Sequence, residues 1–369
     1  MTVAARPTAR ARALLAAAVA VVATVLSLAP TPAAAQPVQE SHHPHPGRTL
    51  TVASYNLYLG ADLSPLFAAR SQAELVGAAA TVYARMEATR PPERMRRIAG
   101  LLAEERPDVV GLQEVARWET GPLGGALRPT YDFLPLLLRS LAARGEHYVP
   151  VASNDNFTGQ LPISATTQAR FLDRDVILVR ARSLARGLQV SRPQSGRFAA
   201  ELTIPTAIPG LTFSVPRGWS SVDLRKNGRT VRFVNTHLEA FSPLVRAAQA
   251  RELVAVVEAS RPPVVLVGDL NSPPDDATGA YGLVRAAGLV DAWVVAESPA
   301  GGATSGQAPD LRNPVSELDS RIDFVLYEPR GLRAVRAEVI GDEQRDRTRS
   351  GLWPSDHAGV VATLRLTRR

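Results

Sequence analysis

The chain has 369 residues, with 42 lysines and arginines against 35 aspartates and glutamates, and a formal charge of +7. Hydrophobic residues make up 45% and charged residues 21% of the chain, a balance that excludes a disordered protein, a collagen and a coiled coil. The absence of cysteine excludes disulfides, thiol catalysis and cysteine-ligated metal sites.

The first 35 residues have the order of a secretory signal peptide. Three arginines and no acid precede an uncharged apolar run from Ala13 to Ala29, and Ala33 and Ala35 fit a cleavage site before Gln36. The alternative is an uncleaved anchor, but an apolar run of about 17 residues is at the short limit for spanning a bilayer. We therefore expect a secreted protein that keeps no membrane anchor after cleavage.

The rest of the chain divides into a short lead-in and one long segment. Residues 36–47 are rich in proline and histidine and lack apolar periodicity, which indicates a disordered lead-in. Residues 48–369 contain no linker and no repeat. The sequence therefore predicts a single domain over residues 48–369.

Strands alternate with a few helices along this domain. Apolar, β-prone runs predict strands at Leu50–Leu57, Val109–Val115, Val176–Val179, Val264–Leu270, Ile322–Leu326 and Gly359–Leu364. Asn227-Gly228 predicts a tight hairpin turn between Val222–Arg225 and Thr230–Asn235. Apolar residues at helical spacing predict helices at Arg94–Glu105 and Leu244–Ala259. This mixture favours an α/β or α+β sandwich of mixed sheets covered by helices.

Polar residues recur where these apolar strands begin or end. They are Asn56, Glu114, Asn235 with His237, Asp269 with Asn271, Asp323, and Asp356 with His357. Burying such groups is costly unless a metal, a partner or a substrate compensates them. We therefore expect these sites to form one shared polar floor.

The residue types on this floor indicate a hard cation and phosphoester chemistry. Carboxylate and amide oxygens suit Mg²⁺, with Mn²⁺ or Ca²⁺ as alternatives, better than zinc. The chain has no glycine-rich phosphate loop and no G-x-S-x-G motif, which argues against P-loop nucleotide hydrolysis and against a serine hydrolase. A metal that neutralises phosphoryl oxygens and a histidine that handles a proton fit hydrolysis of a phosphoester.

Six short motifs carry a resemblance to a known family. They are Ser54-Tyr55-Asn56-Leu57, Leu112-Gln113-Glu114-Val115, Asn235-Thr236-His237-Leu238, Gly268-Asp269-Leu270-Asn271, Arg321-Ile322-Asp323 and Ser355-Asp356-His357. Because the six motifs occur in this order, the chain resembles the endonuclease/exonuclease/phosphatase superfamily, also called the deoxyribonuclease I-like superfamily. The resemblance implies a four-layered sandwich, with two mixed β-sheets face to face and helices outside. It also implies hydrolysis of phosphodiesters or phosphomonoesters with a divalent cation.

The resemblance also assigns roles to individual residues. Glu114, Asn56 and Asp356 would bind the metal. His357 would be the catalytic histidine, with Asp323 as the carboxylate that orients it.

Further roles come from the two middle motifs. Asp269 and Asn271 resemble the pair that positions the attacking water and a phosphate oxygen. His237 resembles a second histidine that donates to the phosphoryl group or the leaving oxygen. Asp173 and Asp175 have the same strand parity, so spacing does not decide which of them orients His237. Asp175 and Asn235 are taken as candidates for substrate binding.

The sequence leaves the substrate open. Nucleic acid is the first substrate expected, and a phospholipase C-like or sphingomyelinase-like activity on lipids is the alternative. A non-catalytic binding scaffold is a third reading, and no protein partner is predicted. Five basic residues near the hairpin could hold a polyanion, although a charged edge that prevents aggregation is the preferred reading: Arg217, Arg225, Lys226, Arg229 and Arg232.

Overall fold

The larger of two central sheets contains the first and last strands of the domain. The computed structural model describes residues 48–297 and 301–367. The sheet comprises β1 (Thr49–Asn56), β2 (Val109–Gln113), β3 (Arg117–Pro122), β4 (Arg128–Asp132), β5 (Tyr148–Pro162), β6 (Thr167–Arg180), β15 (Leu332–Ile340) and β16 (Gly359–Leu366). Its order is β15-β16-β1-β2-β6-β3-β4, and β5 pairs with β6. Only β1 and β2 run parallel among its pairs, which makes the sheet mixed.

The second sheet is built around the predicted hairpin. It comprises β7 (Gln189–Arg197), β10 (Gly218–Lys226), β11 (Arg229–His237), β12 (Val264–Asp269), β13 (Val290–Asp291) and β14 (Asp323–Tyr327), in the order β13-β14-β12-β11-β10-β7. A separate hairpin of β8 (Leu202–Pro205) and β9 (Thr212–Val215) interrupts the chain before β10. Asn227 and Gly228 both have positive φ, as a two-residue hairpin turn of this kind requires.

Helices cover the outer faces of both sheets. They are α1 (Ser64–Phe67), α2 (Gln72–Ala88), α3 (Pro91–Glu105), α4 (Phe133–Ala142), α5 (Ala181–Ala185), α6 (Pro243–Glu258), α7 (Ala280–Ala286) and α8 (Ala292–Ala296), with a 3-10 turn at Gln344–Asp346. One apolar core joins α2, α3 and α4 to the first sheet, and another joins α6 and α7 to the second. A third core lies between the sheets. The predicted four-layered sandwich is therefore confirmed.

Glycine allows the two sheets to approach closely near their centre. A Cβ atom at Gly111 in β2 would lie 2.4 Å from Val267 Cγ2 and 2.5 Å from Asn235 Oδ1, both in the facing sheet. Any other residue would push the sheets apart there. This close approach brings the ends of β1 and β2 next to the ends of β11 and β12.

The predicted strands and helices are present, with shifted ends. The run Val109–Val115 ends as a strand at Gln113, since Glu114 takes a left-handed backbone with a φ of 52°. The predicted strand Val176–Val179 is the end of the much longer β6. No helix within the described residues combines the length and hydropathy needed to cross a membrane. The predicted signal peptide and lead-in, residues 1–47, lie outside the described residues and remain predictions.

Candidate active site

The polar residues predicted at strand ends lie together at one edge of the sandwich. In the second sheet His237 pairs with Asp269 across β11 and β12, and Asp269 pairs with Asp323 across β12 and β14. In the first sheet Asn56 ends β1, and Glu114 directly follows the neighbouring parallel strand β2. Because parallel neighbours end at the same edge, residues that are far apart in sequence converge here.

Asn56 and Glu114 form the contribution of the first sheet. Asn56 Nδ2 donates to Glu114 Oε1 at 3.3 Å and to Asp269 Oδ2 at 3.1 Å, which links the two sheets. Glu114 Oε2 accepts the backbone N–H of Leu59 at 2.6 Å. The left-handed backbone at Glu114 is uncommon for a residue with a side chain, and such conformations are concentrated at functional sites.

His357 and Asp323 form a histidine–carboxylate pair. His357 Nδ1 lies 2.8 Å from Asp323 Oδ2, so the carboxylate accepts the Nδ1 proton and leaves Nε2 for other partners. Nε2 lies 3.4 Å from Ser305 Oγ and 3.8 Å from Asp269 Oδ2. Burial alone would lower the pKa of His357, but the carboxylates of Asp323 and Asp356 hold it well above its usual value.

Asp269 lies at the centre of the cluster. Its Oδ1 accepts the N–H of Asn271 at 2.9 Å, and its Oδ2 lies 3.5 Å from His237 Nε2. Asn271 Nδ2 in turn donates to the carbonyl of Leu238 at 3.0 Å, which fixes the amide beside the carboxylate. Burial, reinforced by the charge of Asp323, raises the pKa of Asp269 to about 7.

The Nδ1 atom of His237 contacts Arg217 and not an acid. Arg217 Nη1 lies 3.0 Å from His237 Nδ1 and 3.2 Å from Asp173 Oδ2. A guanidinium can only donate, so Nδ1 is an acceptor and the proton of the neutral ring is on Nε2. Burial, together with the charges of Arg217 and His357, lowers the pKa of His237 well below its usual value. The ring is therefore a neutral donor next to Asp269.

The choice between Asp173 and Asp175 is resolved by these contacts. Asp173 reaches His237 through Arg217, whereas Asp175 Oδ2 accepts from Asn154 Nδ2 at 3.2 Å and from Asn156 Nδ2 at 3.0 Å. Asp175 is also not among the described residues that line the cavity. The geometry therefore does not support a substrate contact for Asp175.

Asn235, the other candidate for substrate binding, joins the two sheets. Its Nδ2 donates to the carbonyl of Leu112 at 3.0 Å, and its Oδ1 accepts from Gln113 Nε2 at 2.6 Å. Both polar atoms are thus occupied within the protein core, and Asn235 lies behind the cavity and not on its lining. Its position corrects the prediction of a substrate contact and makes it a support for the strand ends.

The basic residues of the hairpin are separated from the site, with one exception. Arg225, Lys226 and Arg229 lie at the turn of the hairpin. Arg229 precedes His237 by eight residues along β11, which corresponds to about 26 Å at the usual rise per residue of a strand. Lys226 Nζ donates to Asp108 Oδ2 at 3.1 Å, and Arg232 Nε donates to Asp223 Oδ1 at 2.8 Å. Of the five basic residues, only Arg217 lies at the site.

The converging residues line one cavity of about 240 Å³. Its polar side is formed by Glu114, Asp173, Arg217, His237, Asp269, Asn271, Asp356 and His357. Its other side is lined mostly by apolar residues. The cavity thus contains a paired histidine and carboxylate, a neutral histidine donor and several carboxylates. Together these groups can bind a cation and move protons at a phosphoryl group.

Residues 53–357 match the sequence model of the Endonuclease/Exonuclease/phosphatase family. This match covers most of the chain and contains all six motifs. The chain belongs to the endonuclease/exonuclease/phosphatase family. Hydrolases of this family act on phosphoesters, and the chain is therefore a phosphoester hydrolase. No functionally curated protein matches the sequence significantly.

Solved structures with this fold include other family members from bacteria. A family protein from Leptotrichia buccalis C-1013-b has a TM-score of 0.54 and 14% identity, and the alignment covers 85% of this chain and 98% of that one. One from Beutenbergia cavernae DSM 12333 has a TM-score of 0.53 and 23% identity, covering 87% and 72%. The mannosyl-6-phosphatase of Bacteroides thetaiotaomicron VPI-5482 has a TM-score of 0.51 and 20% identity, covering 85% and 99%.

Enzymes of this family generally depend on a divalent metal, and the charges in the cavity fit one. Burial raises the pKa of Glu114, with Asp173 acting in the same direction, and burial raises the pKa of Asp356 to about 7 despite the nearby His357. Burial raises these pKa values more than the neighbouring positive charges lower them, so a bound cation would further stabilise the ionised carboxylates. Their oxygen atoms are the ligands that hard divalent cations prefer. Oxygen and nitrogen atoms of Asp269, Asp323 and His357 also lie within 4.8 Å of one another.

Arg217 was grouped with the basic residues of the hairpin, but it lies at the site. The hairpin register, which can be counted from the sequence, indicates this position. Counting the register outward from the Asn227-Gly228 turn pairs Gly218 with His237, which places Arg217 one residue beyond that pair. Arg94 was predicted only to begin a helix, with no role at the site. It is fully buried beneath the site and donates to the backbone carbonyls of Leu57, Tyr58 and Pro354, and only its charge within an apolar helical stripe could have indicated this.

Proposed function

We propose that this family member is a secreted phosphoesterase that uses a divalent cation, with Mg²⁺ in first place, to hydrolyse phosphodiester or phosphomonoester bonds. The observation that carries the proposal is the convergence of two histidines and several carboxylates on one cavity. Secretion rests on the signal-peptide pattern of residues 1–35. It is tested by sequencing the N-terminus of the exported protein, which should begin at Gln36.

The chain offers oxygen ligands for the cation on one side of the cavity. Glu114 and Asp356 line the cavity, and Asn56 lies within hydrogen-bond distance of Glu114. Bound there, a divalent cation would offset the negative charge of the phosphoryl oxygens. Asn56 Oδ1 now accepts the N–H of Tyr58 at 3.0 Å, which orients the amide beside the carboxylates.

The two histidines are assigned different tasks. Water, positioned by Asp269 and Asn271, attacks phosphorus and forms the new P–O bond, and its proton passes to Nε2 of His357 in the neutral form of that ring. Asp323 keeps the ring in place through Nδ1–H and stabilises the positive charge that forms. The P–O bond to the alcohol breaks, the alcohol oxygen takes a proton from solvent water, and the neutral ring of His237 donates a hydrogen bond to that oxygen from Nε2–H. Loss of its proton to solvent restores His357.

The test is a substrate panel with purified mature protein, with and without Mg²⁺. It should include double- and single-stranded DNA, RNA, sphingomyelin and inositol phosphates, and EDTA should abolish turnover. Glu114→Gln and His357→Gln should lose activity, whereas the surface variants Glu104→Gln and His147→Gln should keep it, since both side chains are exposed. Full turnover in both site variants would refute the assignment. Cation binding without turnover of any ester would favour the scaffold alternative.

A further inference from the structure

The cavity has two chemically different sides. Facing the carboxylates and histidines is an apolar wall, formed by Leu63, Phe67, Phe157, Phe171, Val215 and Phe241. These residues come from α1 and its preceding loop, from β5, β6 and β9, and from the loop after β11. The wall and the reacting groups line the same cavity, so a molecule bound by its phosphoryl group would also contact the wall.

The apolar wall is held firmly by the surrounding protein. The Phe67 ring meets the ring of Phe241 edge-on, with centroids 6.0 Å apart, and meets Phe213 in the same way at 5.2 Å. The backbone N–H of Phe241 donates to Glu239 Oε1 at 2.6 Å, and Arg246 Nη1 donates to the carbonyl of Glu239 at 2.9 Å. The loop that carries Phe241 is therefore fixed, although the Phe241 side chain is 55% exposed.

The wall extends beyond the cavity itself. A second cavity of about 40 Å³ lies behind it, lined by apolar side chains, and shares Leu63, Phe157 and Phe171 with the first. Contiguous apolar side chains at a surface mark ligand-binding grooves, and ligand cavities are lined largely by such side chains. The wall thus continues away from the reacting groups and could contact an extended apolar group.

Charge argues against a polyanion in this cavity. Among the described residues that line it, Arg217 is the one lysine or arginine, and its Nη1 is engaged by Asp173 and His237. Asp62, which also lines the cavity, is exposed and adds negative charge. A nucleic-acid strand is normally held by several basic groups along its phosphates, and the basic residues of the hairpin lie at the opposite end of the sheet.

We propose that the substrate is an ester of a single phosphoryl group that carries a hydrophobic alcohol, and that this alcohol is seated on the apolar wall. The inference rests on the proposed phosphoesterase function and names the class of its substrate. The reaction is unchanged: water replaces one alcohol at phosphorus and that alcohol leaves with a proton. Recognition of the hydrophobic group follows from burial of apolar surface next to the bound phosphoryl group.

The test uses p-nitrophenyl phosphodiesters with one leaving group and different second esters. Methyl, butyl, octyl and phenyl esters are compared with Mg²⁺, below any critical micelle concentration. We expect kcat/KM for the octyl ester to exceed that for the methyl ester at least tenfold. A greater gain with the phenyl ester would identify an aromatic alcohol, and a greater gain with the octyl ester an aliphatic chain.

Two wall variants and one control make the test specific. Phe241→Ser and Phe67→Ala should reduce the octyl-to-methyl ratio of kcat/KM at least threefold. Leu123→Ser, a similarly exposed apolar residue in the turn between β3 and β4, should leave the ratio unchanged. Phe241 is exposed, so its substitution should not prevent folding.

The outcomes separate this inference from the proposed function. Equal turnover of methyl and octyl esters would overturn the apolar-alcohol inference and leave the phosphoesterase proposal standing. So would cleavage of DNA with a higher kcat/KM than any ester and without an effect of Phe241→Ser. Absence of turnover for every ester and for DNA, with any divalent cation, would instead refute the phosphoesterase proposal.

Discussion

Replacing Arg217 by methionine should both destabilise the protein and slow the reaction. Arg217 is paired with Asp173 at 3.2 Å, and the two side chains are only 9% and 4% exposed. Removing one partner of a buried ion pair costs about 3–5 kcal/mol, because the other charge is left without compensation. Methionine retains most of the apolar stem, so the loss should come chiefly from the charge.

The size of this loss should depend on pH. Burial raises the pKa of Asp173, and Arg217 is the strongest influence that opposes the rise. Without Arg217 the pKa of Asp173 in the folded state rises further above its unfolded value. The protonated carboxyl then stabilises the fold at low pH, and this contribution is lost as pH rises through the folded pKa. Urea unfolding should therefore show a larger destabilisation at pH 8 than at pH 5.

Turnover reports on the second role of Arg217, which is to fix the proton of His237 on Nε2. Loss of a positioned hydrogen-bond donor to the reacting group typically lowers kcat about 100-fold or more, so we expect kcat of Arg217→Met to fall about 100-fold. Arg232→Met is the matched control, because Arg232 is paired with Asp223 at 2.8 Å far from the site. It should lose stability and keep its kcat.

A double variant completes this test. Asp173→Asn combined with Arg217→Met removes the uncompensated carboxylate, and it should recover part of the stability but not the turnover. Unchanged kcat in folded Arg217→Met would refute the role assigned to Arg217 in orienting His237. Unchanged stability at pH 8 would refute the reasoning from the buried pair.

Asp323→Asn should lower kcat about 100-fold, the lower range for general acid–base catalysis, because His357 loses its carboxylate partner; wild-type kcat would contradict the pairing. Burial raises the pKa of Asp269 and of Asp356 to about 7, so protonation stabilises the metal-free fold at pH 5, and this contribution is lost as pH rises through 7. Calorimetry should accordingly show Mg²⁺ raising Tm more at pH 8 than at pH 5, and an equal shift would argue against carboxylate ligands. Gly111→Ala should destabilise the protein by about 1–3 kcal/mol in urea unfolding, and an unaffected midpoint would show that the sheets can separate there.

The residues of the polar floor could be predicted because their signal is local. Each follows or precedes a short apolar run, and Asp269 and Asn271 also stand two residues apart at a strand end. The arrangement of two sheets face to face was implied by the family resemblance and not by these runs. The exact end of β2 could not be predicted, because it depends on the left-handed backbone of Glu114, which neighbouring contacts maintain.

The apolar wall could not be predicted, because no single segment contains it. Phe67, Phe157 and Phe241 belong to a short helix, a long strand and a loop, and each alone resembles an ordinary core residue. Their meeting depends on tertiary packing around the hairpin of β8 and β9, where Phe213 contacts both Phe67 and Phe157. The basic hairpin shows the reverse case, since residues close in sequence to the site are carried away from it by strand direction.

The two sides of the cavity together limit the substrates that fit. The described lining holds two buried carboxylates, those of Asp173 and Asp269, and two half-buried ones, those of Glu114 and Asp356, against the single guanidinium of Arg217. A divalent cation held by these carboxylates would offset part of this excess and the charge of one phosphoryl group. A second phosphate on the same molecule would find no further cationic side chain on the described lining. A hydrophobic group in its place would find the apolar wall, so one phosphoryl group joined to an apolar alcohol satisfies both sides.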